Sequence, residues 1–198
     1  MSRVPDSQPV VILVKHAQPV LDSSLPPREW RLARDGERQA HRLADALRQY
    51  LPFRMFSSPE LKARQTSEIV AAELGVAMTT VEDLRELDRP PLPILSESDH
   101  RALNARVFAE PDVPVIGAES AASALQRFER ALGKEIDPAA TNLVVIAHGT
   151  VISLFVASVD PSVEAFVLWK RLRCPSFVVL DGGSLALREI VDELQDSE

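Results

Sequence analysis

Cysteine is nearly absent from this chain. Cys174 is the only one, so no intrachain disulfide can form, which agrees with a reducing compartment. Long apolar runs are missing too, and no stretch approaches the ~18 residues of a membrane-spanning helix. The five apolar residues at 10–14 fall short of the roughly 7–15 of a secretory leader, so a cytoplasmic address with no membrane partner is expected. Excess positive charge is lacking as well. The net charge of -7 argues against broad contact with a nucleic-acid backbone or an anionic membrane surface. A small phosphorylated ligand stays open, because a site needs only a local cluster of cations. There is no Gly-Lys-Ser/Thr loop and no Gly-x-Ser-x-Gly elbow, which speaks against nucleotide hydrolases and serine esterases. Neither a His-x-x-x-His pair nor a carboxylate cluster beside a histidine is present, so a metal hydrolase is disfavoured and no metal or cofactor is expected.

What the chain does have is 45% hydrophobic residues in a length of 198, enough to bury the core of one domain spanning residues 1–198. Two apolar runs stand out. Residues 10–14 lead into Lys15-His16-Ala17, and residues 143–147 lead into His148-Gly149-Thr150. Such continuous β-branched runs read as strands covered on both faces of a parallel sheet. Ligands of open α/β sheets bind at the carboxyl ends of such strands. Taken alone, either histidine reads as a structural residue at a strand end. Together they can face each other across a small-molecule site.

Between these runs, helices alternate with strands. Residues 19–34 form a polar, proline-broken stretch, and Ala40, Leu43, Ala44 and Leu47 then recur at helical spacing behind Asp35 as N-cap. Residues 53–56 read as a strand. Ser57-Ser58-Pro59-Glu60 reads as a helix start with a serine cap and proline in the first turn, and Gly75 ends that helix. The prolines at 90, 91 and 93 exclude helix interior, so residues 89–117 read as an irregular insertion with one short helix near 99–108. Amphipathic stripes follow at 121–132 and 152–159, and residues 177–190 read as a hairpin turned by Asp181-Gly182-Gly183. The expected fold is a three-layer α/β/α sandwich with a mostly parallel central sheet and a short cap insertion at about residues 87–117.

The order of motifs resembles the histidine phosphatase, or phosphoglycerate mutase-like, superfamily. The opening Val14-Lys15-His16-Ala17-Gln18 is similar to a strand followed by Arg-His-Gly or Arg-His-Ala. The helix at 36–44 follows, and then Ser57-Ser58-Pro59-Glu60-Leu61-Lys62-Ala63-Arg64-Gln65-Thr66-Ser67. Leu84-Arg85-Glu86, Gly117-Ala118-Glu119-Ser120 and His148-Gly149 complete the series, which covers nearly the whole chain.

The resemblance implies that His16 is a nucleophile forming a phosphohistidine, with its pKa depressed by neighbouring cations. It implies that His148, Lys15 and Lys62 stabilise phosphoryl oxygens, aided by Gly149 and by backbone amides at helix starts after residues 16, 58 and 148. Glu86 would protonate the leaving oxygen and then activate water. Two departures stand out. Lysines replace both of the family's usual arginines, which preserves charge and removes the bidentate fork. Arg64 is no substitute, since two helical residues from Lys62 it points elsewhere. In addition, the Glu-Ser-x-x-Asn run of the mutases reads Gln18-Pro19-Val20-Leu21, and residues 87–93 lack the usual aromatic and glycine pattern.

The leading expectation is therefore a metal-independent phosphomonoesterase acting on a small phosphate ester. The alternatives are phosphoglycerate mutase-type phosphoryl transfer and a weakly active or non-catalytic phospholigand-binding member of the same fold. The insertion and the loop at 26–30 would form a specificity cap. His41 and His100 read as surface or partly exposed structure, Cys174 as a residue without redox role, and Trp30 and Trp169 as packing, with Trp30 a candidate for the cap. A homodimer is the commonest assembly open to such a chain.

Overall fold

The computed structural model describes residues 8–91, 93–137, 141–192 and 194. Leu92 of the proline-rich segment lies outside the described residues. Among the described residues, six strands form one sheet: β1 (Val10–Lys15), β2 (Phe53–Ser57), β3 (Met78–Thr80), β4 (Asn142–Ala147), β5 (Ser176–Asp181) and β6 (Leu187–Val191). Their spatial order is β3-β2-β4-β1-β5-β6. The first four run parallel, and β5 and β6 add an antiparallel edge, closing the expected hairpin.

The central strands are apolar at successive positions because both faces are covered. Val11, Leu13, Leu143 and Val145 point to one core, beneath α4 (Ala121–Gly133), α5 (Gly149–Val159) and α6 (Ala165–Arg171). Ile12, Val14, Val144 and Ile146 point to the other, beneath α1 (Arg34–Leu47) and α2 (Leu61–Leu74). The result is a three-layer α/β/α sandwich with a mostly parallel sheet. Among the described residues, no helix is long and apolar enough to cross a membrane.

Several local readings need correction. The α1 helix begins at Arg34 after an extended Ala33 that makes no side-chain cap; Asp35 lies inside the first turn, where it pairs with Arg38 at 2.5 Å. The α2 helix begins only at Leu61, so Ser58 and Pro59 belong to the strand-to-helix turn rather than to the helix. Gly75 does end α2, in the left-handed conformation at φ 65 that a Cβ disfavours. No helix follows His16; an extended loop does, bridging at Pro19 and Leu32. Within the insertion, α3 is longer than expected, spanning Glu97–Ala109, because Ser96 caps it by accepting from Asp99 N at 3.1 Å.

The sheet topology concentrates the chemistry at one edge. In register, Lys15 lies beside Ala147 and Ser57 beside Ile146, so the carboxyl ends of β1, β2 and β4 finish side by side. The residues that follow them are His16, Ser58 and His148. Close backbone contact fixes the first of these loops: a Cβ on Gly36 would lie 2.1 Å from the Gln18 carbonyl oxygen.

Candidate active site

The two histidines meet at that edge. Their ring centroids are 5.2 Å apart with planes at 61°, and they are 6% and 1% exposed. His16 N donates to the Ala147 carbonyl at 3.1 Å, which ties the nucleophile candidate to the strand that delivers His148. His16 Nδ1 lies 2.8 Å from the Ala17 carbonyl. A carbonyl only accepts, so Nδ1 carries the proton and the neutral ring leaves its lone pair on Nε2. Burial, then the charges of Lys62, His148 and Lys15, hold the His16 pKa well below its ordinary value. The Ala17 bond opposes this and is outweighed. Depression by cations was expected; the largest cause, burial, was not.

His148 is also held well below the ordinary value, by burial first and then by Lys62. Its Nε2 lies 2.7 Å from Ser58 Oγ, which also accepts from Glu60 N at 3.2 Å. In the tautomer in which Ser58 donates to Nε2, the proton of the neutral ring sits on Nδ1, a buried atom with no hydrogen-bond partner among the described residues. A buried donor left open at a cavity wall is suited to an anion oxygen.

Both lysines reach the site, each already engaged. Lys15 Nζ donates to Leu172 O at 2.7 Å, and it lies 3.4 Å from where a Cβ on Gly149 would stand. The ammonium thus covers the first turn of α5 at a residue without a side chain. Lys62 is buried, and its Nζ donates to Pro27 O at 2.8 Å and to Glu60 Oε2 at 2.5 Å. Arg64 points away, pairing with Glu68 at 3.3 Å on the exposed side of α2.

Glu86 follows a short 3-10 turn after β3. Its Oε2 accepts from Thr150 N at 3.0 Å and its Oε1 from Leu87 N at 2.9 Å. Burial pushes its pKa up, but Arg89, His148 and these two amides outweigh burial and hold it below the ordinary carboxylate value. Glu86 is therefore ionised in the free site at neutral pH.

Sequence reasoning missed four contributors. Glu60 is buried and bridges the site: one oxygen takes Lys62, while Oε1 accepts from Glu86 N at 2.8 Å. Arg89, in the insertion, donates from Nη2 to Asn104 Oδ1 and Thr150 Oγ1, both at 3.0 Å. Glu119 and Arg127 hold the Glu86 segment from behind. Arg127 makes a two-pronged pair with Glu119 at 2.6 and 2.8 Å and also donates to the carbonyls of Asp83, Arg85 and Glu86. The Gly117-Ala118-Glu119-Ser120 motif thus supplies both the Ser120 cap of α4 and the carboxylate that anchors this arginine.

The site opens on a cavity of about 440 Å3, within the roughly 300–1,000 Å3 of small-molecule sites. Lys15, His16, Lys62, Glu86, His148 and Gly149 all border it. The insertion and the 26–30 loop cover it through Arg89, Leu95, Pro27 and Trp30. His100 also lines it, packed on Trp169, so both leave the roles of surface and simple packing assigned above. His41 stays outside, exposed and bonded to Glu73 at 2.7 Å. Among the described residues, no group of three or more His, Cys, Asp or Glu side chains is placed to hold a metal ion.

Residues 11–174 match the histidine phosphatase superfamily (branch 1), and the chain belongs to that family. Comparison of the sequence with curated proteins finds no match. Among solved structures, the mycobacterial glucosyl-3-phosphoglycerate phosphatase superposes with a TM-score of 0.70 at 18% identity, covering 94% of this chain and 99% of its own. A phosphoserine phosphatase variant from Entamoeba histolytica, bound to phosphoserine, gives 0.67 at 14% identity, covering 92% and 96%. The protein histidine phosphatase SixA, bound to tungstate, gives 0.60 at 16% identity, with coverage of 92% and 96%. The shared fold is clear at these identities.

Proposed function

We propose that this protein is a metal-independent phosphomonoesterase that works through a phosphohistidine on His16. The observation that carries the reading is the tautomer of His16: the Ala17 carbonyl fixes the proton on Nδ1 and leaves Nε2 as a bare nucleophile inside a cation-flanked cavity. In the first step Nε2 attacks phosphorus, the bond from phosphorus to the ester oxygen breaks, and the leaving alkoxide takes a proton from Glu86. Glu86 is ionised in the free site, so the proton arrives with the substrate: an ester bound as its monoanion passes its phosphate proton to Glu86, which then enters this step protonated. In the second step Glu86 takes a proton from water, the hydroxyl oxygen bonds phosphorus, and the bond to Nε2 breaks. Inorganic phosphate leaves, with His16 neutral and Glu86 again protonated.

Lys15, Lys62, His148 Nδ1 and the Gly149 end of α5 would stabilise the equatorial oxygens during both steps. Each aimed donor contributes about 3 kcal/mol in such sites. The Glu60–Lys62 pair favours a second reading, a phospholigand-binding protein with little turnover, because part of the positive charge is already compensated.

The test is p-nitrophenyl phosphate hydrolysis from pH 5 to 8 in excess EDTA, with His16→Ala purified alongside. Turnover that survives the chelator and drops at least about 1,000-fold in the variant is expected. Activity retained by His16→Ala would sink the mechanism. Silence of the native protein, with thermal stabilisation by phosphate, would select the binding reading.

A further inference from the structure

The phosphate cluster occupies only the floor of the cavity. Its outer wall is built from Leu21, Trp30, Ile94, Leu95, Leu103 and Trp169. Resting on the phosphomonoesterase reading, we propose that this wall selects the ester's alcohol: an uncharged, hydrocarbon-rich group, rather than a sugar, glycerate or amino acid.

Three observations converge. First, Ile94, Leu21 and Leu95 are 60%, 46% and 36% exposed. Scattered exposed aliphatics need no explanation, but these three come from two separate loops and face one cavity. Second, the aromatic side of the wall presents mainly ring surface. Trp30 Nε1 donates to Asp22 O at 2.8 Å, so its ring meets the cavity as hydrocarbon. Trp169 stacks on Phe166 at 5.6 Å and 14°, with Phe108 at 6.2 Å behind it, which makes the aromatic side rigid. His100, 5.5 Å from Trp169, is pushed below its ordinary pKa by burial and then by Arg89 and Lys15, so it adds a neutral ring.

Third, the guanidinium on the wall, Arg89, is largely held by the protein: its Nη2 donates to Asn104 and Thr150, while its buried Nε lacks a partner among the described residues. At the rim, Glu97 and Arg101 pair with each other at 2.6 Å. A substrate carrying carboxylates or many hydroxyls would leave them unpaired against hydrocarbon, whereas an apolar alcohol buries matching surface.

The experiment compares kcat/KM for 2-naphthylmethyl phosphate, glycerol 3-phosphate and 3-phosphoglycerate, with p-nitrophenyl phosphate as the activity control. The naphthylmethyl and glycerol esters release primary alcohols, so their difference reports binding of the alcohol. A preference of about 100-fold for the naphthylmethyl ester is expected. The double variant Leu21→Asn/Ile94→Asn, at two exposed positions where folding is not at stake, should cut that preference about tenfold, chiefly through KM. Equal or better turnover of the glycerol or glycerate ester, alongside active p-nitrophenyl phosphate hydrolysis, overturns the inference and leaves the phosphatase reading intact. If no ester turns over, the phosphatase reading fails, and thermal shifts with 2-naphthylmethylphosphonate against methylphosphonate decide. A larger shift with the former keeps the apolar ligand class, and equal shifts reject it.

Discussion

Glu60 is the residue that sets the charge of this site. Lys15, Lys62 and Arg89 bring three cations to the cavity; Glu60 opposes them by hydrogen-bonding Lys62, and Glu86 by the charge it sets near Arg89. The Glu60–Lys62 pair is almost fully buried, at 8% and 6% side-chain exposure, so water screens it little. Removing one partner of such a pair costs up to about 3–5 kcal/mol, because a buried charge is left uncompensated. An anion in the cavity can take the place of the lost carboxylate. Glu60→Gln should therefore lower the melting temperature without ligand, and inorganic phosphate should raise it more in the variant than in the native protein. Equal phosphate-induced shifts in the two proteins would mean that Lys62 does not face the anion.

At the scale of elements, the segment carrying Glu86 has little regular structure of its own. A single 3-10 turn at Glu82–Leu84 precedes it, and α4 holds it through Arg127, which is 3% exposed. Lysine in that place keeps the charge but loses the fork that grips Glu119 and three carbonyls at once. Arg127→Lys should destabilise the fold by about 2–3 kcal/mol, in line with losing hydrogen bonds to a charged group. It should lower kcat more than it raises KM, because Glu86 shifts while the phosphate cluster stays. A variant that loses stability with kcat intact would reduce Arg127 to a structural role. Elements of this kind mark the limit of what the sequence discloses. Strands β1 and β4 are legible because burial on both faces demands unbroken apolar runs, and α1 and α4 because one buried stripe demands helical spacing. The three-residue β3 and seven-residue α6 carry no periodicity long enough to read. His16, Glu86 and His148 were legible through ordered motifs and do border one cavity. Glu60, Arg89 and Arg127 were not, since each meets the site through a distant partner, the Glu86 amide 26, Thr150 61 and the Glu86 carbonyl 41 positions away, and only the packed sheet and insertion bring these together.

The whole molecule ties its stability to the same protons as its proposed chemistry. In the folded chain His16 and His148 are held well below the ordinary value of 6.5, chiefly by burial, and His100 is shifted in the same direction. In the unfolded chain each takes up a proton near 6.5. Between the unfolded and folded values the unfolded state binds more protons, so stability is at its full value above 6.5 and falls as pH drops below it. The slope approaches about 1.4 kcal/mol per pH unit for each histidine so held. Glu86 and Glu119, whose folded pKa values lie below the ordinary 4.5, add stability that persists above that value and is lost only at lower pH. The window from pH 6.5 to 5 thus isolates the histidines. Urea unfolding at pH 7, 6 and 5 should show a falling free energy in the native protein and a shallower fall in His16→Asn. The acid limb of kcat/KM should likewise lie below 6.5, because protonating Nε2 removes the nucleophile. Identical slopes for the two proteins, or an acid limb at or above 6.5, would show that His16 is not held neutral by its surroundings. In that case the burial that shapes the cavity would not be what readies the nucleophile.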